Sequence, residues 1–171
     1  MTFLSKLKDF FVNKERFKSF IADTVVFFVV FIIIVIIANI FKFPVISGDS
    51  MLPNLRDNQR VIAIATNDVS VGDIVVLWSD DLDKHIIKRV IGVAGDNIQI
   101  RNGHCYRNGI MIYESYVRID EKNMSEMISI DVPKDCIFVM GDNRNHSTDS
   151  RTVGPISLSK VEMKVVGSLP F

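Results

Sequence analysis

The longest apolar segment of the chain restricts what it can fold into more than any other feature. Every residue from Val25 to Ala38 is apolar, and with three polar interruptions this character extends over residues 20–41. That makes about twenty-two residues, and roughly twenty helical residues cross the hydrocarbon core of a bilayer. Most are β-branched, but a backbone in lipid must satisfy its own hydrogen bonds, which favours a helix. The sequence therefore predicts a transmembrane helix over residues 20–41.

Two other interpretations of this segment fit the sequence less well. A core helix of this length would be apolar on every face, and a domain as small as this one could hardly enclose it. A cleaved signal peptide has a shorter apolar stretch and a small-x-small exit, whereas this segment ends in Asn39-Ile40-Phe41-Lys42-Phe43. We therefore expect an uncleaved anchor.

Basic residues predict the orientation of the anchor. Only Lys42 is basic between the apolar segment and Arg56, whereas five basic residues precede the segment: Lys6, Lys8, Lys14, Arg16 and Lys18. Basic residues near a transmembrane segment stay on the cytoplasmic side. Residues 1–19 are thus predicted to be cytoplasmic and residues 42–171 extracytoplasmic, in a single-pass protein of the cell membrane.

The charge of the chain gives no reason to expect nucleic acid as a partner. Lys+Arg and Asp+Glu number 20 each among 171 residues. No net field attracts a polyanion, and no basic segment interleaved with aromatic residues is present.

Two cysteines, Cys105 and Cys136, lie in the predicted outer region. In an oxidising compartment a disulfide between them would close a loop of about thirty residues and add roughly 3 kcal/mol of stability. Alternatively, they pack as unpaired thiols, which behave as small apolar side chains. The sequence leaves both possibilities open.

The region after the apolar segment has the pattern of an antiparallel β domain. Short β-branched runs are bounded by polar or glycine turns, and Asn102-Gly103 and Asn108-Gly109 are hairpin signals. A single helical turn is predicted at residues 157–161 and a charged, solvated loop at residues 114–123. The predicted fold is mainly β, with one domain over residues 42–171 and strands at residues 60–65, 73–78, 85–93, 98–101, 105–107, 137–140 and 163–166.

Ser50 is a candidate nucleophile. It lies in Ser47-Gly48-Asp49-Ser50-Met51-Leu52-Pro53, where glycine and proline indicate a tight turn that would present the hydroxyl and direct backbone amides toward an oxyanion. A serine between glycine and proline is usually no more than a turn, and a serine hydroxyl reacts only beside a base. The hypothesis therefore depends on finding that base.

Histidine and lysine are both candidates for the base. His146 is beside Ser147 and near Asp149, which leaves a Ser/His/Asp arrangement open, although no Gly-x-Ser-x-Gly elbow accompanies it. The other histidines, His85 and His104, form no pair with metal-ligand spacing.

Lys88 fits the role of base better. It lies in Ile86-Ile87-Lys88-Arg89-Val90-Ile91, where burial among aliphatic side chains would disfavour the charged form and lower the pKa. The alternative is a lysine whose stem lies on an apolar strand and whose ammonium reaches water.

A polar segment, residues 140–154, follows the predicted strand 137–140. Its four charged residues, Asp142, Arg144, Asp149 and Arg151, alternate in sign and could form ion pairs that make one wall of a site rigid. Ser147 would then hydrogen-bond to a neutral lysine amine and orient it. The alternative is a solvated surface loop.

Four motifs occur in order along this region. They are Ser-Gly-Asp-Ser-Met-x-Pro at residues 47–53, Gly-Asp-Ile-Val at 72–75, Lys-Arg-Val-Ile-Gly-x-x-Gly-Asp at 88–96 and Gly-Asp-Asn-Arg-x-x-Ser-x-Asp-Ser-Arg at 141–151. In order and spacing they resemble the boxes of the bacterial type I signal peptidases, the serine/lysine peptidases of family S26. The short chain and single anchor are similar to those of the Gram-positive members.

The resemblance implies a membrane-anchored serine endopeptidase that removes signal peptides from exported preproteins and cleaves after small residues at positions −1 and −3. Ser50 would be the nucleophile, Lys88 the general base and Ser147 the residue that orients Lys88. The implied supporting residues are Asp142, Arg144, Asp149 and Arg151, and the implied substrate-pocket residues are Ile46, Met51, Leu55 and Ile87. No metal or cofactor is implied. The implied partners are preprotein signal peptides and the lipid bilayer, with the secretion translocon as a further candidate.

Two positions depart from the family pattern. Many Gram-negative members have a serine two residues before the nucleophile, where its hydroxyl contributes to the oxyanion hole, and this chain has Gly48. The hole would then depend on backbone amides, chiefly that of Ser50. Asn54 replaces the usual threonine after Pro53, which we interpret as a minor change.

Two other functional classes compete with this interpretation. Signal-peptidase-like proteins can assemble pili or other surface structures with narrow or no peptidase activity, but a chain free of catalysis has no reason to keep Ser50, Lys88 and Ser147 together. A self-cleaving repressor-type protease is disfavoured by the predicted anchor and by the lack of a DNA-binding segment.

Overall fold

The computed structural model describes residues 14–117 and 127–170. The chain divides into two compact units, one ending at Ile40 and the other beginning at Phe41. The first unit is helical and the second is built from β-sheets, so the mainly β fold with one N-terminal apolar helix is confirmed.

Helix α1 spans Lys14–Ile40. Its part from Arg16 to Ile40 contains an 18-residue window with a mean hydropathy of 3.2 that is not buried in the protein, so its length and composition suit it to cross a membrane. Two polar residues within the helix are satisfied by its own backbone. Thr24 Oγ1 donates to Phe20 O at 2.7 Å and Asn39 Nδ2 donates to Val35 O at 2.7 Å, which removes most of the cost of placing these groups in an apolar segment.

The helix differs at both ends from the predicted segment, residues 20–41. Within the described residues it already includes Lys14, six residues before the predicted segment, because the basic residues before the apolar run continue the helix without a breaker. It ends one residue earlier, because Phe41 belongs to a strand and is paired with Ile64.

The larger sheet of the second unit has seven strands in the order β1-β2-β11-β3-β4-β9-β10, and every pair is antiparallel. These strands are β1 Phe41–Lys42, β2 Val61–Ala65, β3 Ile74–Ser79, β4 Lys84–Val93, β9 Cys136–Met140, β10 Ile156–Ser157 and β11 Val161–Ser168. Strand β4 is the longest and pairs with β3 on one side and β9 on the other. A short helix, α2 Ser150–Val153, precedes β10.

The smaller sheet has four antiparallel strands in the order β7-β6-β5-β8. They are β5 Asn97–Arg101, β6 His104–Arg107, β7 Ile110–Met111 and β8 Ile128–Asp131. The two hairpin signals connect β5 to β6 and β6 to β7. Asn102 and Gly103 have φ of 51° and 74°, and Asn108 and Gly109 have φ of 55° and 79°, which is the left-handed backbone that two-residue hairpin turns need.

Two expectations about the second unit need correction or completion. The predicted solvated loop at residues 114–123 is wrong at its start, because Glu114 and Val117 are buried; residues 118–123 lie outside the described residues. The predicted helical turn at 157–161 is a 3-10 turn, Leu158–Lys160.

Both cysteines are free thiols in the structure. Cys105 is buried and Cys136 packs partly buried against the same apolar cluster. Burial raises the pKa of the Cys105 thiol to about 12, so this side chain is an unreactive part of the core. Of the two alternatives for the cysteines, unpaired thiols describe the structure.

Candidate active site

Ser50 and Lys88 are in direct contact. Lys88 Nζ donates a hydrogen bond to Ser50 Oγ at 2.8 Å and a second to Ile87 O at 2.9 Å. Lys88 lies in the middle of β4 and only 4% of its surface is exposed. A primary amine therefore sits within proton-transfer distance of a serine hydroxyl in a site largely shielded from water.

The environment of Lys88 favours its neutral form. The pKa of Lys88 is lowered to about 8, mainly by burial; the positive charges of Lys84 and Arg151 also lower it, whereas the carboxylates of Asp149 and Asp142 act in the opposite direction. Among the residues that the structure describes, no carboxylate forms an ion pair with Lys88. Desolvation without a counter-charge is the arrangement that converts a lysine into a general base near neutral pH.

Backbone hydrogen bonds and a buried methionine hold the turn that carries Ser50. Gly48 adopts a φ of 90°, a left-handed conformation that a residue with a Cβ rarely adopts. Leu52 N donates to Asp49 O at 3.1 Å and Leu55 N donates to Met51 O at 3.0 Å, which closes the turn. Met51 is fully buried, so it holds the turn to the core while the neighbouring Ser50 faces the cleft.

The polar segment after β9 packs directly on the Ser50 turn. A Cβ on Gly141 would lie 2.5 Å from Ser50 O, so only glycine allows this approach. Asn143 N donates to Ser50 O at 3.0 Å and Asn143 Nδ2 donates to Asp49 O at 3.1 Å. Two backbone carbonyls of the Ser50 turn therefore hold the polar segment against that turn.

Only two of the four charged residues in the polar segment pair with each other. Arg151 Nε donates to Asp149 Oδ1 at 2.7 Å, and Asp149 Oδ2 also accepts from Gly141 N at 2.9 Å. The Asp149–Arg151 pair therefore fixes the start of the segment, at the glycine that contacts Ser50.

Asp142 and Arg144 find their partners elsewhere in the chain. Asp142 accepts from Arg89 Nε at 2.8 Å and Arg89 Nη2 at 2.7 Å, and Arg144 forms a buried two-point pair with Glu114. The segment is thus a rigid, paired structure rather than a solvated loop, and its pairing reaches β4 and the residues that follow β7.

No described hydrogen bond joins Ser147 to Lys88. Its Oγ is buried without a hydrogen-bond partner among the described residues, and the two hydrogen bonds of Lys88 Nζ go to Ser50 and Ile87. The role of Ser147 in orienting Lys88 stays a prediction.

Two adjoining cavities lie beside the dyad. The first, of about 240 Å³, is lined by Ser50, Lys88 and mostly polar residues around them. The second, of about 350 Å³, is mainly apolar, and the two share Ser47, His85, Ile86 and Ile87. They therefore form one cleft with a polar and an apolar part.

The four expected pocket residues divide into lining and support. Ile46 and Ile87 line the apolar part of the cleft. Met51 and Leu55 do not line either cavity; they pack against Ile46 and Ile87 in one buried cluster. They support the pocket wall from behind.

Three residues of this region escaped the sequence analysis as partners of the site: Asn54, Arg89 and Glu114. Asn54 Nδ2 donates to Asp142 Oδ2 at 2.9 Å and to Tyr116 O at 2.7 Å, so the substitution that we interpreted as minor connects the nucleophile turn to Asp142. Arg89 could have been suspected from its position directly after Lys88. Nothing in the charged run around Glu114 distinguishes a buried partner from a solvated residue.

Comparisons with known proteins identify the class to which this fold and serine–lysine pair belong. The profile of the family described as signal peptidase, peptidase S26, matches residues 18–169. The signal peptidase I P of Bacillus subtilis subsp. natto is 35% identical over 155 residues, covering 82% of this chain and 84% of that protein. The signal peptidase I of Bacillus amyloliquefaciens is 33% identical over 153 residues, covering 81% of this chain and 82% of that protein.

A solved structure is similar as well. The crystal structure of a signal peptidase I from Enterococcus faecalis aligns with a TM-score of 0.49 and 27% sequence identity, covering 60% of this chain and 97% of that one. From the family profile and the curated relatives, the chain belongs to the signal peptidase family, peptidase S26, and is a serine peptidase.

Proposed function

We propose that this protein is a membrane-anchored signal peptidase that removes signal peptides from exported preproteins through a Ser50/Lys88 dyad. The observation that carries the proposal is the 2.8 Å contact between Lys88 Nζ and Ser50 Oγ in a buried site without a carboxylate partner for the lysine. Family membership supports the substrate class, because signal peptidase I enzymes act on preprotein signal peptides.

The proposed reaction proceeds through an acyl-enzyme. Neutral Lys88 accepts the proton of Ser50 Oγ as this oxygen attacks the scissile carbonyl carbon, and the resulting ammonium then donates the proton to the leaving amine. Lys88 next accepts a proton from a water whose oxygen attacks the acyl carbon; the bond between that carbon and Ser50 Oγ breaks, and Lys88 returns the proton to Ser50 Oγ. Ser147 would orient the lysine amine once substrate fills the cleft, and Asp142, Arg144, Asp149 and Arg151 would hold the wall of the site through their ion pairs.

The developing oxyanion would be bound by the backbone amide of Ser50. Among the described residues this N–H donates to no other acceptor, whereas the N–H of Gly48 is engaged by Asp57 Oδ1 at 2.7 Å. Because position 48 offers no hydroxyl, the Ser50 amide is the donor best placed to bind the charge.

The apolar part of the cleft would select small side chains at positions −1 and −3. Ile46 and Ile87 line it, and Met51 and Leu55 pack behind them. A larger substrate side chain would overpack these walls, and interiors resist such overpacking. The signal peptide would bind in extended form along the cleft, with its backbone hydrogen-bonded as an added strand.

Helix α1 would anchor the enzyme in the cell membrane. The basic residues before its apolar part predict a cytoplasmic N-terminal segment, residues 1–19, and an extracytoplasmic catalytic domain, residues 42–171. Ser50 follows the last helical residue by only ten positions in sequence, which suits a substrate that is itself held in the bilayer. The bilayer would therefore be a direct partner, and the secretion translocon a further one.

Cleavage of a labelled preprotein in detergent micelles tests the proposal. We expect the wild-type protein to release the signal peptide, and Ser50→Ala and Lys88→Ala each to abolish cleavage with the fold retained. His146→Ala tests the histidine alternative and is expected to keep turnover, since no described hydrogen bond joins His146 to Ser50. Normal turnover of Ser50→Ala or Lys88→Ala would contradict the proposal. An inactive wild type would favour a non-catalytic role in surface-structure assembly.

A further inference from the structure

The peptide bond that joins Asp49 to Ser50 is held by one buried side chain. Asn143 Nδ2 donates to Asp49 O at 3.1 Å, and the backbone N–H of Asn143 donates to Ser50 O at 3.0 Å. Asn143 is only 7% exposed, so water does not compete strongly for these two hydrogen bonds. Both carbonyls that flank the nucleophile are therefore bound by the same residue.

Fixing the carbonyl of Asp49 also fixes the amide of Ser50. The bond between these residues is trans, and in a trans peptide the C=O and N–H groups are coplanar and point in opposite directions. Leu52 N also donates to Asp49 O at 3.1 Å. With two donors on its oxygen, the peptide plane cannot rotate freely, and its N–H becomes a stronger donor because hydrogen bonds polarise one another along a chain.

The other end of the Asn143 amide has no partner. Asn143 Oδ1 is buried and accepts no hydrogen bond among the described residues. The hydrogen bonding of this side chain therefore comes from Nδ2, which donates to the nucleophile turn alone.

We propose that Asn143 is a positioning residue that aims and polarises the Ser50 N–H for binding of the oxyanion. The proposal rests on the proposed function, in which Ser50 is the nucleophile and its amide binds the charge. It answers the question raised by Gly48: where a hydroxyl donor is missing, the side chain of Asn143 acts on the remaining donor from the opposite end of the same peptide bond.

A pair of matched ligands tests this role. The first is a peptide aldehyde that ends in alanine at position −1, and the second is the corresponding alcohol. Ser50 Oγ adds to the aldehyde carbon, the carbonyl electron pair moves to oxygen, and the serine proton passes to Lys88, so the adduct places an oxyanion at the Ser50 N–H. The alcohol fills the same cleft without forming an oxyanion.

For Asn143→Ala and Asn143→Leu in the full chain, we expect the aldehyde to bind about 10- to 100-fold more weakly, less than the 10²–10³-fold typical for loss of a whole oxyanion donor. Binding of the alcohol should change by less than about twofold, because substrate contacts away from the oxyanion are retained. In preprotein cleavage kcat should fall while KM stays constant, since an interaction made only in the transition state is lost. The acid limb of the pH profile should not move, because neither variant changes the surroundings of Lys88 Nζ.

Asn145→Ala is the matched control, because Asn145 is an exposed asparagine two residues further along the same segment. It should leave the aldehyde-to-alcohol affinity ratio at the wild-type value. The ratio compares two ligands on the same folded molecules, so partial unfolding of a variant does not imitate the expected result. Asn143→Leu removes the donor without loss of side-chain volume and without adding a charge near Ser50.

The outcomes separate this inference from the proposed function. If Ser50→Ala binds the aldehyde as tightly as the wild type does, the proposed function fails. If Ser50→Ala loses aldehyde binding but both Asn143 variants keep the wild-type ratio, the dyad stands and the role of Asn143 is wrong. Equal losses of aldehyde and alcohol affinity would also overturn it, since they would indicate a damaged cleft.

Discussion

The two sides of strand β4 show how one structural element places two neighbouring basic side chains in different environments. Lys88 and Arg89 are neighbours, so their side chains point to opposite faces of the sheet. Among the described residues, Lys88 Nζ hydrogen-bonds to the Ser50 hydroxyl and the Ile87 carbonyl, and its pKa is lowered to about 8, mainly by burial. Arg89 forms a two-point ion pair with Asp142 and stacks on the ring of Tyr116 at 4.2 Å.

The difference lies in the chemistry of the two side chains and in the carboxylate: a guanidinium keeps its proton in proteins, and Asp142 pairs with it, whereas the Lys88 amine has no such pair among the described residues. Burial alone lowers the pKa of Arg89 as well, but the hydrogen bond and charge of Asp142 more than reverse the effect, and the pKa of Arg89 is raised. A buried cation with a carboxylate stays charged and holds two segments together. A buried amine without one becomes available as a base.

The largest effect, on the rate of cleavage, is expected when residue 88 is replaced by a basic side chain that cannot lose its proton. Lys88→Arg keeps a long basic side chain, but guanidinium does not lose its proton in proteins. We expect kcat for preprotein cleavage to fall by about 10²- to 10⁴-fold or more, as for other losses of a general base. Cleavage assays from pH 7 to 10 would measure this, with Arg89→Lys as the converse exchange on the other face. Substantial activity of Lys88→Arg at any pH would show that the residue acts through its charge.

The next largest effect, on the free energy of unfolding, is expected when the buried Arg144 loses its carboxylate partner. Glu114→Ala would leave Arg144 buried and unpaired, and removing one partner of a buried ion pair costs about 3–5 kcal/mol of unfolding free energy. The double variant Glu114→Leu/Arg144→Met should recover most of that loss, because it removes both charges and fills the space. Urea unfolding of the full chain in detergent measures both.

Asp80→Ala is the control for that comparison. Asp80 pairs with Lys160, but the two side chains are 67% and 37% exposed, and exposed pairs contribute about 0–1 kcal/mol. If Glu114→Ala lowers the free energy of unfolding no more than Asp80→Ala does, the buried Arg144 does not need its counter-charge for stability, and the prediction is wrong.

The sheets were predictable from the sequence because their core strands carry local signals. Strands β2 to β5, β9 and β11 contain β-branched residues between turns, and β6 lies between two Asn-Gly hairpin signals; each was expected within a few residues of its observed bounds. Strands β1, β7, β8 and β10 were missed. They have two to four residues each, and a strand that short is defined by the partner it pairs with rather than by its own composition.

The candidate site was predictable only where motifs named its residues. Ser50 and Lys88 were expected as a pair, and the structure brings them into contact. The partners of the supporting charges were not predictable, because they lie far away in sequence: Asp142 pairs with Arg89 and Arg144 with Glu114. Which of many charged residues becomes buried depends on the packing of the complete fold, and local pattern does not contain that information.

The third prediction compares the stability contributions of the two neighbouring cations. Lys88 is protonated in both the folded and the unfolded state below about pH 8, so the cost of burying its charge is fully present there. The fall in its pKa from 10.5 to about 8 corresponds to roughly 3 kcal/mol. Lys88→Met should therefore stabilise the inactive protein by about 1–3 kcal/mol at pH 7, with part of the gain offset by the two lost hydrogen bonds.

The stabilisation by Lys88→Met should shrink as the pH rises from about 8 to 10.5. In that range Lys88 loses its proton in the folded wild type before it does so in the unfolded chain. The neighbouring change, Arg89→Met, should have the opposite sign and destabilise the protein by about 3–5 kcal/mol, since Asp142 is left buried and unpaired. Urea unfolding at pH 7 and pH 10 measures both variants. If the two substitutions destabilise the protein equally, burial of Lys88 does not cost stability, and the contrast with the paired Arg89 is wrong.

The smallest expected effect tests whether distant charge adjusts the base. Lys84 is an exposed residue four positions before Lys88 on the same strand, and its positive charge lowers the pKa of Lys88. Four residues of strand span roughly 13 Å, and across water a unit charge at that distance contributes about 0.3 kcal/mol, or about 0.2 of a pH unit.

Lys84→Gln should therefore move the acid limb of kcat/KM upward by about 0.2 of a pH unit at low ionic strength, because protonated Lys88 is then less disfavoured. Lys84→Arg keeps the charge and should leave the limb unchanged. The difference between the two variants should vanish in about 0.5 M salt, where charges this far apart are screened. A shift of the limb that survives high salt, or that Lys84→Arg also produces, would indicate a change in the packing around Lys88, and burial alone would then account for its lowered pKa.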